Sequence, residues 1–246
     1  MTGFFILFNR AKNNFYEVYS VKHLMLKIFM KLFFRFLATA ILIVTGLTAL
    51  GYFFWHKPKL RANRESHPYT VNKKDNDVVF LRLKQKAVQL KSFADAHHFN
   101  TTRCFLIDMK ITSGQKRFFV FNLLKDSIEN SGLVTHGTGS DKGTAELFFS
   151  NTPNSNCTSV GKYKIGKPYM GKFGLAYKLY GLDETNSKAF ERFVVLHAHS
   201  CVPNEAVAPL SICESWGCPT IAPAFLVELK AIIDQSSWPV LLWIYY

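Results

Sequence analysis

The 246-residue chain is apolar and basic: 48% of it is hydrophobic, and 30 Lys and Arg against 17 Asp and Glu leave a net charge of +13. Residues 1–64 hold ten basic residues and one acid, Glu17, whereas residues 65–246 hold twenty and sixteen. The larger part therefore lacks the concentrated basic face of a nucleic-acid binder, and no nucleic acid is expected as a partner. Bases bordering an apolar run point instead to anionic lipid head groups.

Residues 1–35 read as a basic cytoplasmic or interfacial segment, in which Lys27, Lys31 and Arg35 recur every four residues and share one helix face. From Phe36 to His56 there is no Lys, Arg, Asp or Glu. That is about the ~20 residues that cross a bilayer's hydrocarbon core. Tyr52, Phe53, Phe54 and Trp55 close the run with rings suited to the interface. A single transmembrane anchor over 36–56 is expected, with membrane lipid as its partner. It is read as uncleaved, because no good Ala-x-Ala site follows. Lys22, Lys27, Lys31 and Arg35 before it nearly balance Lys57, Lys59, Arg61 and Arg64 after it, so charge alone leaves the orientation open.

Residues 57–76 are polar, contain Pro58 and Pro68, and read as a linker. Over 77–100, Val79, Leu83, Val88, Leu90 and Phe93 fall at helical spacing. This helix is expected to pack on the domain formed by 101–246. There the texture becomes β: apolar runs at 103–112 and 116–124 flank Ser113-Gly114, a hairpin signal. Further strands are expected at 128–135, 159–164, 175–180, 193–199 and 240–246, with a helix at 222–233. The fold class is mainly β with a few helices, β-sandwich-like.

Chemistry concentrates between Phe193 and Ile221. His197 and His199 end an apolar strand, and Ser215-Trp216-Gly217-Cys218-Pro219 follows after about twenty residues. A cysteine nucleophile needs a base or a cation to hold it as thiolate, and histidine is the usual partner. Gly217 lets the backbone approach a reacting carbonyl, and the amides of Gly217 and Cys218 are candidate oxyanion donors. The competing reading of each residue is structural: a buried cysteine packs as a small hydrophobe.

Ordered matches extend beyond that segment. They are Val134-Thr135-His136-Gly137, Phe149-Ser150-Asn151, Ser159-Val160-Gly161-Lys162-Tyr163, Gly171-Lys172 with Gly174-Leu175, Gly181-Leu182, Asn186, Ala189, Arg192 and Val194-Val195-Leu196-His197, followed by Ser215 to Pro219. Together these resemble the murein L,D-transpeptidase catalytic domain family, a branch of the YkuD-like transpeptidases. The resemblance implies a β-rich enzyme of the bacterial cell envelope, with its catalytic domain outside the cytoplasmic membrane and peptidoglycan stem peptides as substrate. It implies Cys218 as nucleophile, His197 as its base, and Ser215 and Gly217 as support for the site. No cofactor and no metal are implied.

His199 is the alternative base, since positions two apart on a strand share a face. His136 is a candidate substrate contact or a structural histidine; Arg192 is a candidate carboxylate binder or an ion-pair partner. The chain departs from the family pattern at Ala198, and at Glu214, where the family commonly has arginine. Those departures sustain a second reading, a catalytically drifted wall-binding or scaffolding protein. Of the five cysteines, Cys201 and Cys213 border the loop between His197 and Cys218. A disulfide there is one of three connectivities open if Cys218 is free, and a fully reduced set is the other possibility.

Overall fold

The computed structural model describes residues 29–48 and 73–246, and the chain divides into two compact units, Met1–Glu65 and Ser66–Tyr246. In the first unit, helix α1 (Phe29–Thr48) is long and apolar enough to cross a membrane by length and composition. Its threonine hydroxyls donate back to the helix's own carbonyls: Thr39 to Phe36 O at 2.8 Å, Thr45 to Ile41 O at 2.9 Å and Thr48 to Thr45 O at 2.9 Å. No hydroxyl there is left to seek water. The helix begins before the expected span and contains its residues 36–48. Residues 49–56 of that span, segment 1–28 and linker residues 57–72 lie outside the described residues.

The second unit opens with α2 (Lys73–His97). Its end is a Schellman cap: His98 takes a φ of 58° and the Phe99 amide donates to Ala94 O at 3.1 Å. Phe99 stacks on Phe93 at 5.8 Å, supplying the apolar contact that accompanies such caps. The strands follow as β1 (Arg103–Asp108), β2 (Phe118–Asn122), β3 (Ser127–Gly132), β4 (Gly161–Gly171), β5 (Gly174–Gly181), β6 (Val195–Ala198), β7 (Thr220–Ile221) and β8 (Leu241–Tyr245). A 3-10 turn spans Glu184–Asn186, and α3 covers Pro223–Asp234.

The strands make one mixed sheet in the order β3-β2-β1-β8-β4-β5-β6-β7. Its two edges are drawn together, because Val134, just past β3, bridges Ile221 of β7, and the Thr135 amide donates to Thr220 O at 3.0 Å. The mainly β expectation holds, and its layers come from one sheet curled on itself. Strands β1, β2 and β8 are apolar almost throughout because both of their faces are covered. Phe105, Ile107, Phe118, Val120, Leu242 and Ile244 face the interior core with Phe225, Leu226 and Leu229 of α3. The alternating residues Cys104, Leu106, Phe119, Phe121, Leu241 and Tyr245 meet Leu83, Ala87, Leu90 and Ala94 of α2. The run expected to continue to Thr112 stops at Asp108, whose side chain accepts the Lys110 amide at 3.0 Å and turns the chain.

A part-buried ion pair joins α2 to β1. Arg82 donates from Nε (2.9 Å) and Nη2 (2.7 Å) to Oδ2 of Asp108, whose side chain is fully buried. Removing the guanidinium would strand a carboxylate away from water. Arg82→Ala is therefore expected to cost roughly 3 kcal/mol of unfolding free energy, and adding Asp108→Asn should restore part of it. Denaturant titration of both variants checks this; equal losses would show the pair uncoupled.

Candidate active site

The parallel ladder between β6 and β7 builds the site. It sets His197 opposite Thr220 and Ala198 opposite Ile221, so Cys218, two residues before Thr220, arrives at the same end of the sheet as the histidine 21 positions earlier. Cys201 and Cys213 are disulfide-bonded across the intervening loop, with Cα atoms 6.1 Å apart, which is the pairing anticipated there. Cys104 and Cys157 are free and buried; Cys218 is free and half-buried.

The His197 ring is buried and lies 5.1 Å from the Phe173 ring, nearly parallel to it. Phe173, at the tip of the β4–β5 hairpin, has no sequence signature that would have found it. Nδ1 meets Ala198 O at 3.1 Å and Nε2 meets Thr220 Oγ1 at 3.0 Å. A carbonyl can only accept, so Nδ1 carries the proton and Nε2 accepts from the threonine hydroxyl. Burial lowers this histidine's pKa, against the raising effect of the Ala198 carbonyl, and His199 lowers it further. His199 also contacts Phe173, edge-on at 5.6 Å, and accepts the Cys201 amide on Nδ1 at 3.1 Å. Both histidines thus border one aromatic ring.

The Cys218 thiol points to Phe193 O, 3.7 Å away. Burial raises its pKa, opposed by a backbone hydrogen bond from Val195 and by the charge of Arg192. At rest, thiol and imidazole are each bonded elsewhere and both are neutral. Phe193, at a φ of 55°, and Trp216, two residues before Cys218, are strongly exposed.

Ser215 shapes the turn that presents the thiol. Its hydroxyl donates to Cys218 O at 2.6 Å and accepts the Gly217 amide at 3.2 Å. Gly217 has a φ of 108°, and a Cβ there would sit 2.7 Å from Cys157 O. Gly137 packs from the other side: a Cβ on it would fall 2.9 Å from Gly217 Cα. The two glycines let two backbone segments touch at the residue preceding Cys218.

Arg192 fixes the segment under that contact. It donates to Ser150 O (2.8 Å), Ser159 Oγ (2.9 Å), Ser155 Oγ (3.4 Å) and Cys157 O (2.7 Å). Four of its five donors are thereby taken up by protein oxygens, and Cys157 O is the atom that abuts Gly217.

His136 is buried behind the same turn. Its backbone oxygen accepts the Ser215 amide at 2.9 Å, and its Nδ1 lies 3.0 Å from Nη2 of Arg117. Arg117, absent from the sequence candidates, is itself fully buried and also donates to Val134 O and Ile111 O. Since guanidinium only donates, Nδ1 accepts and Nε2 carries the proton. Nε2 faces Glu214 Oε1 at 3.7 Å without a hydrogen bond. Ligand atoms of His136, Asp141 and Glu214 cluster within 4.8 Å, but the histidine turns an N–H, not a lone pair, to that cluster. Burial first, then Arg117, push the His136 pKa down to about 4, with Asp141 opposing.

A family model described as the L,D-transpeptidase catalytic domain matches residues 74–245. No curated protein matches the chain. Among solved structures, an L,D-transpeptidase from Mycobacterium smegmatis aligns at 11% identity and a TM-score of 0.35, covering 59% of each chain. The helical cell shape determining protein Pgp2 from Campylobacter jejuni aligns at 10% identity and a TM-score of 0.38, covering 58% of this chain and 47% of its own. The chain spans about half to three fifths of the length of these structures.

The depressed pKa of His136 has a consequence for stability. Unfolded, this histidine binds a proton near pH 6.5; folded, it resists until about pH 4. Its contribution is complete above pH 6.5 and is lost as the pH falls between those values, by up to about 3 kcal/mol. Denaturation of wild type and His136→Gln from pH 7.5 to 4 should show a steeper acid loss in the wild type; parallel curves would refute the assignment.

Proposed function

The chain belongs to the L,D-transpeptidase catalytic domain family, and from that premise we propose that it is a membrane-anchored cysteine acyltransferase acting on peptidoglycan stem peptides. Cys218 is the nucleophile and His197 its base. The thiol proton passes to Nε2 of His197 while sulfur bonds to the peptide carbonyl carbon before the terminal D-residue. The Cys218 amide is the proposed donor to the oxyanion. The C–N bond then breaks, imidazolium returns its proton to the leaving amine, and a thioester remains. An acceptor amine resolves it as a transpeptidase, or water as a carboxypeptidase.

The observation that carries this reading is the β6–β7 register, which delivers a histidine and a half-buried, disulfide-free thiol to one strand end. The Nδ1 bond to Ala198 O orients the ring with Nε2 as acceptor, so a carbonyl takes the place of a third carboxylate. Phe193 and Trp216 form an apolar rim for the incoming peptide. Arg192 holds the turn and is the nearby positive charge that favours thiolate; His136 supports the turn from behind. Through α1 the chain is anchored in the cytoplasmic membrane with the catalytic unit outside, where an oxidising environment maintains the Cys201–Cys213 bond.

One observation favours a second reading, a wall-binding scaffold: thiol and imidazole are each hydrogen-bonded to other groups. Incubation of the full chain with disaccharide-tetrapeptide, followed by mass spectrometry, separates the two. Cross-linked dimers indicate transfer, and tripeptide alone indicates hydrolysis. Cys218→Ala is expected to abolish both products and His197→Ala to slow them by about 10²- to 10⁴-fold, with the wild-type rate rising from pH 7 to 9 as the thiol ionises. A carbapenem should acylate the wild type and not Cys218→Ala. No product and no adduct would leave the scaffold reading.

A further inference from the structure

Beside the proposed pair sits a buried hydroxyl that the chemistry above does not use. Thr220 is almost wholly buried, and the parallel register fixes it opposite His197. With the Nδ1 proton committed to Ala198 O, the neutral imidazole has one lone pair, at Nε2, and Thr220 Oγ1 occupies it at 3.0 Å. We propose that Thr220 is a positioning residue that holds His197 in reserve, its hydroxyl competing with the Cys218 thiol for that lone pair. The inference rests on His197 being the base of Cys218.

The competition favours threonine at rest, because a hydroxyl is a better donor than a thiol. The thiol accordingly bonds to Phe193 O, at 3.7 Å. Release needs no movement of heavy atoms on Thr220. Its Oγ1 also lies 3.5 Å from Cys218 O, a carbonyl that Ser215 and Thr135 already approach. Turning the hydroxyl proton from Nε2 to that carbonyl frees the lone pair. The thiol S–H bond then breaks, an N–H bond forms at Nε2 and is accepted by the thiolate, and the threonine hydroxyl, turned to the Cys218 carbonyl, no longer donates to the ring.

The hydroxyl thus stabilises the neutral pair more than the charged one, since thiolate itself can accept the Nε2 proton. Losing one such hydrogen bond should raise the thiolate fraction by about fivefold. Around the ring, the titratable or charged groups are His199 on the same strand end, Cys218, Arg192 on the thiol's side, and Lys172, whose Nζ lies 5.6 Å from the Phe173 ring. A substitution at 220 leaves all of them in place.

The test is iodoacetamide alkylation of the full chain in detergent from pH 5 to 10, read on the peptide containing Cys218 by mass spectrometry so that Cys104 and Cys157 do not interfere. Thr220→Val should react about fivefold faster at pH 7, with its midpoint about 0.7 pH unit lower. Thr220→Ala, which removes the same hydroxyl with less bulk, should do likewise, and Thr220→Ser should match the wild type. If both hydroxyl-free variants keep the wild-type profile or react more slowly, the role of Thr220 is overturned. His197→Ala distinguishes the failures. A raised midpoint in His197→Ala with no change in Thr220→Val removes only this inference; a wild-type profile in His197→Ala removes the base assignment as well.

Discussion

His197 pairs with Thr220 and Ala198 with Ile221 in a parallel ladder only two residues long, and the whole candidate site is arranged around that register. Parallel pairing needs a long return, and here the return is the loop that the Cys201–Cys213 disulfide closes. So short a ladder contributes little by itself. Its strength comes from what lies beside it: Val134 bridges Ile221 from the far edge of the sheet, and Thr135 exchanges hydrogen bonds with Thr220 through both backbone and side chain. Curling the sheet until its edges meet therefore both encloses the core and fixes the strand that follows Cys218.

Below the ladder, the backbone is packed too closely for side chains. Gly137 and Gly217 face each other, and Cys157 O presses on Gly217 from the segment that Arg192 ties down. Arg192 joins two tasks that are usually separate. Its hydrogen bonds hold the floor of the turn, and its charge acts on the thiol against the cost of burial. A residue that met a substrate carboxylate would need free donors pointing outward, whereas four of these point into the protein.

Much of the fold was legible in the sequence because its strands are covered on both faces. FLI, FFVF and LLWI are unbroken apolar runs at β1, β2 and β8, and such runs are visible without alternation. Strand β7 was not legible: Thr220–Ile221 is too short for any period, and only pairing with β6 makes it a strand. The candidate histidine and cysteine are suggested by residue type and order together with the family resemblance, and the disulfide by its position around the loop between them. The roles of Thr220, Arg117 and Phe173 were not, because each acts through a contact between residues far apart in the chain. Arg192 stood as an ambiguous basic residue until its acceptors, all from 150–159, identified it as a clamp.

The departure at Glu214 has a physical partner in the buried Arg117. A guanidinium bonded to Nδ1 leaves His136 with an N–H at Nε2, directed toward position 214. An acceptor suits that position in this chain. The resemblance leads one to expect an arginine there, which would set a donor against a donor and place a second positive charge near a histidine already resisting protonation beside Arg117. Glu214 is thus consistent with the tautomer that Arg117 enforces, and the change of charge belongs to a three-residue arrangement, Arg117, His136 and Glu214. That arrangement reaches Cys218 through the His136 carbonyl, which receives the Ser215 amide at the start of the turn that ends in that cysteine.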